Sequence, residues 1–295
     1  MDSARWLLPA EAYWSKDWYE LEQERLFGRV WTMVGTVEDA AAGLIAEVAG
    51  RTVAVSRATD GALSVSRGAV DVWAGYVFVT LDPASVPALA SWLGDFPDRI
   101  GGFKPDELVE VTRYRFELAA NWKFFVENHV DVYHLWYLHG DSLGAYDHPR
   151  AAWDECGPHW VFYEPPRAGV DTGDAAFWRG MVPLPGIGEE RWGSGAHLIF
   201  PNLTLATGAG FFMTYQVSPL APDRSAVDIR VRAVEGADAS AMLGMSKVII
   251  EQEDGAACEA MQAAVRSPWF GVGPMAAEHE LPITRFQEHV LEAIA

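Results

Sequence analysis

The residues that could do chemistry are concentrated in one stretch, Asn121 to His139, which reads NWKFFVENHVDVYHLWYLH. It contains His134 and His139, five residues apart, and Asp131 three residues before the first histidine. Two imidazoles and one carboxylate on one side of an ion form the iron(II) site that keeps positions open for dioxygen and a substrate. The stretch therefore offers two ligands for such a site and a carboxylate beside them.

The spacing of the two histidines restricts how they can meet. Five residues turn through roughly 500° on an α-helix, which leaves the side chains about 140° apart. They converge only if the helix ends or widens between them, and a π-bulge is the usual device. Asp131 and His134 share a helical face. Asp131 is therefore better placed to accept a hydrogen bond from the His134 ring than to be the third ligand. By itself, such a pair is more often part of a core than a metal site.

The whole stretch resembles the catalytic signature of Rieske non-haem iron oxygenase alpha subunits. In that family NWK is followed by EN, by an acidic residue two before YH, and by a second His. The matching residues here are Asn121-Trp122-Lys123, Glu127-Asn128, Asp131, Tyr133-His134 and His139. A second phrase, Gln252-Glu253-Asp254, resembles the segment in which the family places its carboxylate ligand. The closing residues 280–295 resemble its last helix, so the resemblance covers most of the chain.

The resemblance implies that His134, His139 and Asp254 bind one mononuclear Fe²⁺ ion. It implies catalytic roles for Asp131 and Asn128, with Asp131 as the carboxylate that links the iron site to an electron donor across a subunit boundary. From the residues alone, a solvated carboxylate among Glu251, Glu253 and Glu259 is the better interpretation of Asp254. A buried carboxylate has to be paired or to bind a metal.

The first hundred residues predict a small β domain behind one helix. Residues 9–29 have the apolar spacing of an amphipathic helix. Strands are predicted at Trp31–Val34, Leu44–Val48 and Val53–Ser56, a hairpin turn at Asp60-Gly61, and one or two strands between Val70 and Leu81.

In the resembled family this region carries a [2Fe-2S] cluster on two cysteines and two histidines. The first cysteine of this chain is Cys156 and its first histidine is His129. We therefore expect no [2Fe-2S] cluster in this chain, and a shrunken antiparallel β domain over residues 1–100. An unrelated small β domain is the alternative.

Residues 101–295 predict the catalytic domain that the resemblance implies. It is a helix-grip fold of the START/SRPBCC type, in which an antiparallel sheet surrounds a long helix, so the expected fold class is α+β. A strand is predicted at Val109–Leu118, and Asn121 opens the helix with the histidine motif. The remaining strands are predicted at Ala196–Phe200, Leu203–Thr207, Phe211–Pro219 and Ala226–Val234.

The long helix is predicted over Ala239–Val265. Its expected inner face consists of Met242, Met245, Val248, Ile249, Ala256, Ala257 and Met261. Residues 140–195 lack periodicity, and we expect an irregular segment there that covers the mouth of a pocket. His148 and His159 lie in it and are expected to be polar loop residues rather than ligands. Apolar residues that could line a substrate pocket are Phe124, Phe125, Trp136, Leu198, Phe200, Leu205 and Phe212.

Composition restricts the partners. The chain has 22 basic and 41 acidic side chains, a net charge of −19, which disfavours nucleic acid and anionic membranes as partners. No apolar run reaches the length of a membrane span, and the first residues lack the pattern of a signal peptide. Two cysteines are too few for a disulfide framework, so a cytoplasmic location is expected.

Three functions follow from the resemblance and the missing cluster residues. In the first, the chain is a self-contained iron oxygenase that oxidises a small organic substrate with O₂, with electrons from the substrate or a diffusible reductant. In the second, it is the catalytic subunit of a mixed oligomer supplied by a Rieske-bearing subunit or a ferredoxin. In the third, it is a non-catalytic binding or assembly subunit. A homo-oligomer such as a trimer is the assembly that the family suggests.

Overall fold

The fold is of the α+β class, and all three of its sheets are antiparallel. The computed structural model describes residues 4–100, 103–170, 182–188, 193–271 and 273–295. Within them, every pair of neighbouring strands in the two small N-terminal sheets and the one large sheet runs antiparallel. The predicted class and the small N-terminal β region are confirmed.

The helix predicted over residues 9–29 is interrupted. A 3₁₀ turn, Ala10–Tyr13, precedes α1 (Lys16–Glu22), which continues as a π turn, Gln23–Phe27. The break lies at Ser15, whose backbone is extended and whose hydroxyl accepts a hydrogen bond from the amide of Asp17. A serine in this position satisfies an amide that has no partner inside the helix, and it therefore starts a new helix.

The N-terminal β region consists of two three-stranded sheets. Their elements are β1 (Thr32–Thr36), α2 (Val37–Ala42), β2 (Leu44–Val48), β3 (Arg51–Arg57), β4 (Leu63–Val65), β5 (Ala69–Trp73) and β6 (Tyr76–Thr80). One sheet has the order β1-β6-β5 and the other β2-β3-β4. The predicted hairpin at Asp60-Gly61 joins β3 and β4, and Gly61 has the positive φ of +90° that the turn requires.

The large sheet has seven strands in the order β7-β13-β12-β11-β10-β9-β8. Short helices α3 (Leu89–Leu93) and α4 (Phe96–Arg99) lead into it, and α5 (Trp122–Val130) follows its first strand. Its strands are β7 (Val109–Leu118), β8 (Ala152–Cys156), β9 (His159–Glu164), β10 (Ser194–Ile199), β11 (Leu203–Gly208), β12 (Phe211–Ala221) and β13 (Arg224–Ala233). The five strands that the sequence predicted here are confirmed, whereas β8 and β9 were not predicted.

Strands β8 and β9 correct the prediction that residues 140–195 are irregular. They form a hairpin that extends the sheet beyond β10, with Gly157 at φ +62° in its turn. His159, Trp160 and Phe162 of β9 are buried, which short-range periodicity could not show. Residues 171–181 and 189–192, which belong to the segment expected to cover the pocket, lie outside the described residues.

The long C-terminal helix has the predicted inner face at Met242 and Ile249, but a different one after its middle segment. It runs without a break through α6 (Ser240–Ser246), a π-helical segment Lys247–Gly255, and α7 (Ala256–Val265). Ala256 and Met261 are exposed, and Cys258, Gln262 and Val265 are buried instead. A π-helix turns less per residue than an α-helix, so nine π residues shift the phase of everything that follows. The chain ends in α8 (Leu281–Ile294).

The large sheet separates two cores. On one face lie α5, α7, α8 and the N-terminal helix, with Met213, Tyr215 and Val217 of β12 packed among them. On the other face Phe212 of β12 packs against Tyr76 of β6. Successive residues of a strand point to opposite faces, so β12 contributes to both cores. Among the described helices, none is long and apolar enough to cross a membrane.

Candidate metal centre

The helix that carries the motif ends before its first histidine. Asn121 caps α5 by accepting a hydrogen bond from the amide of Lys123, at 3.0 Å. Asp131 leaves the helix with an extended backbone, and its carboxylate accepts from the amide of Tyr133 at 2.7 Å. The 3₁₀ turn Tyr133–Trp136, which contains His134, follows directly. The two histidines therefore converge because the helix ends, which is one of the two routes that the spacing allowed.

Three side chains meet at one point although 115 residues of chain separate the last two. The Nε2 atoms of His134 and His139 lie 3.1 Å apart. Asp254 Oδ1 lies 2.9 Å from Nε2 of His139 and 3.7 Å from Nε2 of His134. Two atoms that each lie about 2.1 Å from one ion, at right angles, are separated by about 3 Å. The donor set and its spacing thus fit one divalent cation.

Asp254 reaches this point from the π-helical segment. The widened turns of Lys247–Gly255 place Asp254 on the buried face, where 5% of its surface is exposed. Such segments are often found at functional sites. A π-helical widening, considered above for the segment between the two histidines, is therefore found instead in the helix that carries Asp254.

Each of the three side chains has a further hydrogen-bond partner, which for the two rings lies on the side away from the other ligands. Nδ1 of His134 lies 2.5 Å from the main-chain oxygen of Asp131, and Nδ1 of His139 lies 2.8 Å from Oε2 of Glu253. Asn128 donates from Nδ2 to Oδ1 of Asp254 at 2.9 Å. A ring whose Nδ1–H donates to an oxygen presents a free Nε2 lone pair, which is the tautomer that binds metal.

Two partners in this arrangement differ from the sequence expectations. Asp131 holds His134 through its main-chain carbonyl, whereas its carboxylate oxygen Oδ2 is 4.0 Å from Nδ1 of that ring. Glu253 was given no role of its own by the residue pattern. It accepts hydrogen bonds at Oε2 from His139 and, at 2.6 Å, from the hydroxyl of Ser142. In the sequence, the position of Glu253 directly before the candidate ligand Asp254 was the only indication of this role.

Burial and charge set the protonation of the group. Burial lowers the pKa of His134 to about 4, so this ring is neutral. Burial would also lower the pKa of His139, but the hydrogen bond and charge of Asp254, with those of Glu253, raise it overall. Burial would raise the pKa of Asp254, yet the hydrogen bond from His139 and the charges of both rings lower it. A divalent cation would take the place of the proton between His139 and Asp254.

The predicted pocket residues divide between the two faces of the large sheet. His134, His139 and Asp254 are called the metal group below. Phe125, Leu198 and Phe200 are buried in the core on the face of the sheet that carries this group, and Trp136 packs against that core. Phe124 lies in the same core, stacked on Tyr13 with 4.4 Å between ring centroids.

Leu205 and Phe212 belong to the core on the opposite face, so their assignment to this pocket is wrong. Strands β11 and β12 are covered on both faces, and their apolar residues give no indication of which face a given side chain occupies.

The two histidines of the predicted irregular segment are buried and outside the metal group. His159 donates from Nε2 to the main-chain oxygen of Trp92, and its Nδ1 accepts from the amide of Phe200. Nδ1 of His148 lies 2.7 Å from Oε2 of Glu164, a residue that sequence analysis did not consider. The His148 ring packs edge-on against Trp136, and within the described residues its Nε2 has no hydrogen-bond partner.

Comparison with known proteins identifies relatives of this chain. The family described as ring hydroxylating alpha subunit (catalytic domain) matches residues 105–295. The large subunit of anthranilate 1,2-dioxygenase from Acinetobacter baylyi is 30% identical over 89 residues, which are 28% of this chain and 19% of that protein. The aligned part thus spans about a fifth of the relative's length.

Solved structures share the fold over the whole length of the chain. A quaternary ammonium Rieske monooxygenase superposes with a TM-score of 0.81 at 16% identity, covering 100% of this chain and 96% of that one. Naphthalene 1,2-dioxygenase from Rhodococcus sp. gives a TM-score of 0.76 at 16% identity, covering 98% and 94%.

Proposed function

The chain belongs to the ring-hydroxylating alpha-subunit family of oxygenases, and from this membership we propose that it binds one mononuclear iron(II) ion at His134, His139 and Asp254. We propose that it uses this ion for the O₂-dependent oxidation of a small organic substrate, without an iron–sulfur cluster of its own. The observation that best supports this iron site is that one ligand atom from each of the three residues lies within 4.8 Å of the others.

The residues around the ligands have distinct tasks in this proposal. The Asp131 carbonyl and Glu253 keep the Nε2 lone pairs of the two histidines directed at the ion. Asn128 donates a hydrogen bond to Oδ1 of Asp254, and this contact with a proposed ligand supports the catalytic role proposed for it. Iron(II) held by these residues would supply the chemistry of dioxygen activation beside the substrate. Phe125, Trp136, Leu198 and Phe200 are the proposed walls of the substrate pocket, with Phe124 behind them.

The source of electrons follows from the cysteines and histidines. Because no cysteine precedes Cys156 and no histidine precedes His129, we propose that the substrate or a diffusible reductant supplies the electrons. A mixed oligomer with a cluster-bearing donor is the second candidate. It is favoured by Asp131 and by the aromatic side chains beside it at the surface, since Tyr133 is 38% and Tyr137 73% exposed.

The remaining assignments are proposals of the same kind. We divide the chain into a reduced β domain, residues 1–100, and a catalytic domain, residues 101–295. The start of the family match at residue 105 supports this boundary. A homo-oligomer and a cytoplasmic location complete the proposal.

The test is metal analysis of protein purified without oxygen. We expect one iron per chain and no inorganic sulfide. His134→Ala should lose the iron, whereas His289→Ala, which changes a histidine on α8, should keep it. Full iron in His134→Ala would contradict the ligand assignment. No iron in the wild-type protein after anaerobic reconstitution would favour a non-catalytic subunit.

A further inference from the structure

A cavity lies on the face of the large sheet that points away from the metal group. Its volume is about 570 Å³, it is partly open to solvent, and it is lined by β1 and β2 on one side and by β12 and β13 on the other. Ligand sites of small molecules typically measure about 300–1,000 Å³ and occur where two layers or domains meet. The cavity has that size and that position.

Buried polar side chains in the wall of this cavity lack partners. Gln216 of β12 is 5% exposed, and neither its amide oxygen nor its amide nitrogen has a hydrogen-bond partner among the described residues. The hydroxyl of Thr32 on β1 and the amide nitrogen of Gln23 line the same cavity and are likewise buried and unpartnered in the described part of the chain. Buried polar groups nearly always have a hydrogen-bond partner. Three side chains without one, all in the wall of the same cavity, therefore indicate that a bound molecule supplies the partners.

The position of Gln216 separates this cavity from the metal group. Its neighbours along the strand, Tyr215 and Val217, pack in the core on the helix side of the sheet. Gln216 therefore points to the opposite side, towards β1 and β2. A ligand in this cavity would be distinct from a substrate at His134, His139 and Asp254.

Most charges at the rim of the cavity are paired, and the exposed Glu47 carboxylate accepts a hydrogen bond from the hydroxyl of Thr52. Arg115 donates to Asp228 at 2.6 Å, and Arg230 lies 2.7 Å from both Asp39 and Glu110. The rest of the wall is largely apolar, with Phe27 and Val48 among its members. The cavity therefore favours a ligand without net charge that has an apolar body.

We propose that this cavity is a binding site for a neutral aromatic or heterocyclic carboxamide or lactam. An amide edge carries one donor and one acceptor side by side, which is the complement of the unpaired Gln216 amide. The Thr32 hydroxyl and the Gln23 amide N–H would donate hydrogen bonds to the remaining acceptor sites of the ligand. The apolar side chains of the wall would contact the ring.

The test measures binding of benzamide to the full-length protein by calorimetry and by amide chemical shifts. Methyl benzoate, which has the same ring but no N–H donor, should bind about tenfold more weakly, the loss expected for one good hydrogen bond. Gln216→Leu and Thr32→Val should each weaken benzamide binding by a similar factor. Thr112→Val, which changes a threonine on β7 outside the cavity, should leave it unchanged.

Iron content separates this proposal from that of the metal centre, because none of these variants touches the three ligands. Gln216→Glu, of the same shape but without N–H donors, replaces the leucine variant if that chain does not fold. Equal binding of benzamide and methyl benzoate would overturn the proposal. So would a benzamide-soaked crystal in which water alone fills the cavity.

Discussion

At the scale of residues, the metal group depends on oxygen atoms that orient its ligands. Two imidazoles with facing Nε2 atoms repel each other unless a proton or a cation lies between them. Here the rings are fixed from the Nδ1 side by a main-chain carbonyl for His134 and by a carboxylate for His139. The different chemistry of these two supports leads to two predictions.

Asp131 and Asp254 should differ sharply in their effect on iron. Asp131→Asn should retain about one iron per chain, because the main-chain oxygen, which the substitution keeps, makes the contact with His134. Asp254→Asn should lose most of the iron, because it removes the anionic ligand atom. Iron stoichiometry of the two purified variants is the measurement. Equal loss in both would show that the Asp131 carboxylate is needed to hold the metal.

Removal of the carboxylate behind His139 should weaken metal binding without abolishing it. Glu253→Ala leaves Nδ1 of His139 without its acceptor, and the loss of such a partner typically costs about 10–100-fold in metal affinity. Competition with a chelator of known affinity measures this. Glu251→Ala on the same π-helical segment provides the control and should bind as the wild-type protein does. A wild-type affinity in Glu253→Ala would mean that Ser142 or water orients the ring equally well.

At the scale of elements, α5 is anchored by a buried polar network. Lys123 donates to Glu22 at 2.5 Å with both side chains fully buried, and the Trp122 indole donates to the same carboxylate. Glu127 accepts hydrogen bonds from Tyr13 at 2.5 Å and from Gln287 at 2.9 Å. The network joins α5 to the N-terminal turn and to α8. It therefore fixes the position of the helix that leads into His134 and His139.

Glu127 should make stability depend on pH. Burial raises its pKa from 4.5 to about 7 in the folded protein, so the folded state holds this proton more tightly than the unfolded chain does. The contribution to stability is present below pH 4.5 and is lost as the pH rises to about 7, by roughly 3 kcal/mol at most.

Urea unfolding of the metal-free protein between pH 5 and pH 8 measures this loss. Glu127→Gln keeps the shape and should flatten the pH dependence, since it has no proton to lose. A slope as steep in Glu127→Gln as in the wild-type chain would assign the dependence to other groups.

At the scale of the whole molecule, the two cores make the N-terminal region part of the catalytic fold. Its strands cover Phe212, Leu205 and Ile199 on the outer face of the large sheet. Its first helix supplies Leu26 and Phe27 to the core on the other face. Arg232, almost fully buried, reaches Glu38 of α2 at 3.0 Å and packs over the ring of Tyr76. Neither layer can be removed without exposing apolar surface of the sheet.

A chain that begins at residue 104 should therefore fail to form a stable monomer. It would expose the apolar residues of the outer face, a patch that promotes association. Size-exclusion chromatography and binding of a hydrophobic dye would detect this, with the full-length chain as the control. A monodisperse truncated protein that binds iron would show that residues 104–295 fold on their own.

What the sequence determined by itself was local. The cap at Asn121, the strand Val109–Leu118 and the turn at Asp60-Gly61 depend on residues within a few positions, so pattern and propensity predicted them. The histidine motif and the Gln252-Glu253-Asp254 phrase also indicated which side chains to expect at one site.

Tertiary structure decided how these pieces face one another. Strands β11 and β12 are buried on both faces, so alternation could not assign Leu205 or Phe212 to a side, and packing against β6 placed them away from the metal group. The π-helical phase that turns Asp254 inward, and the pairing of His148 with Glu164, also depend on contacts between distant segments. Such contacts form only when whole layers pack, because the energy that selects them comes from buried surface rather than from the local backbone.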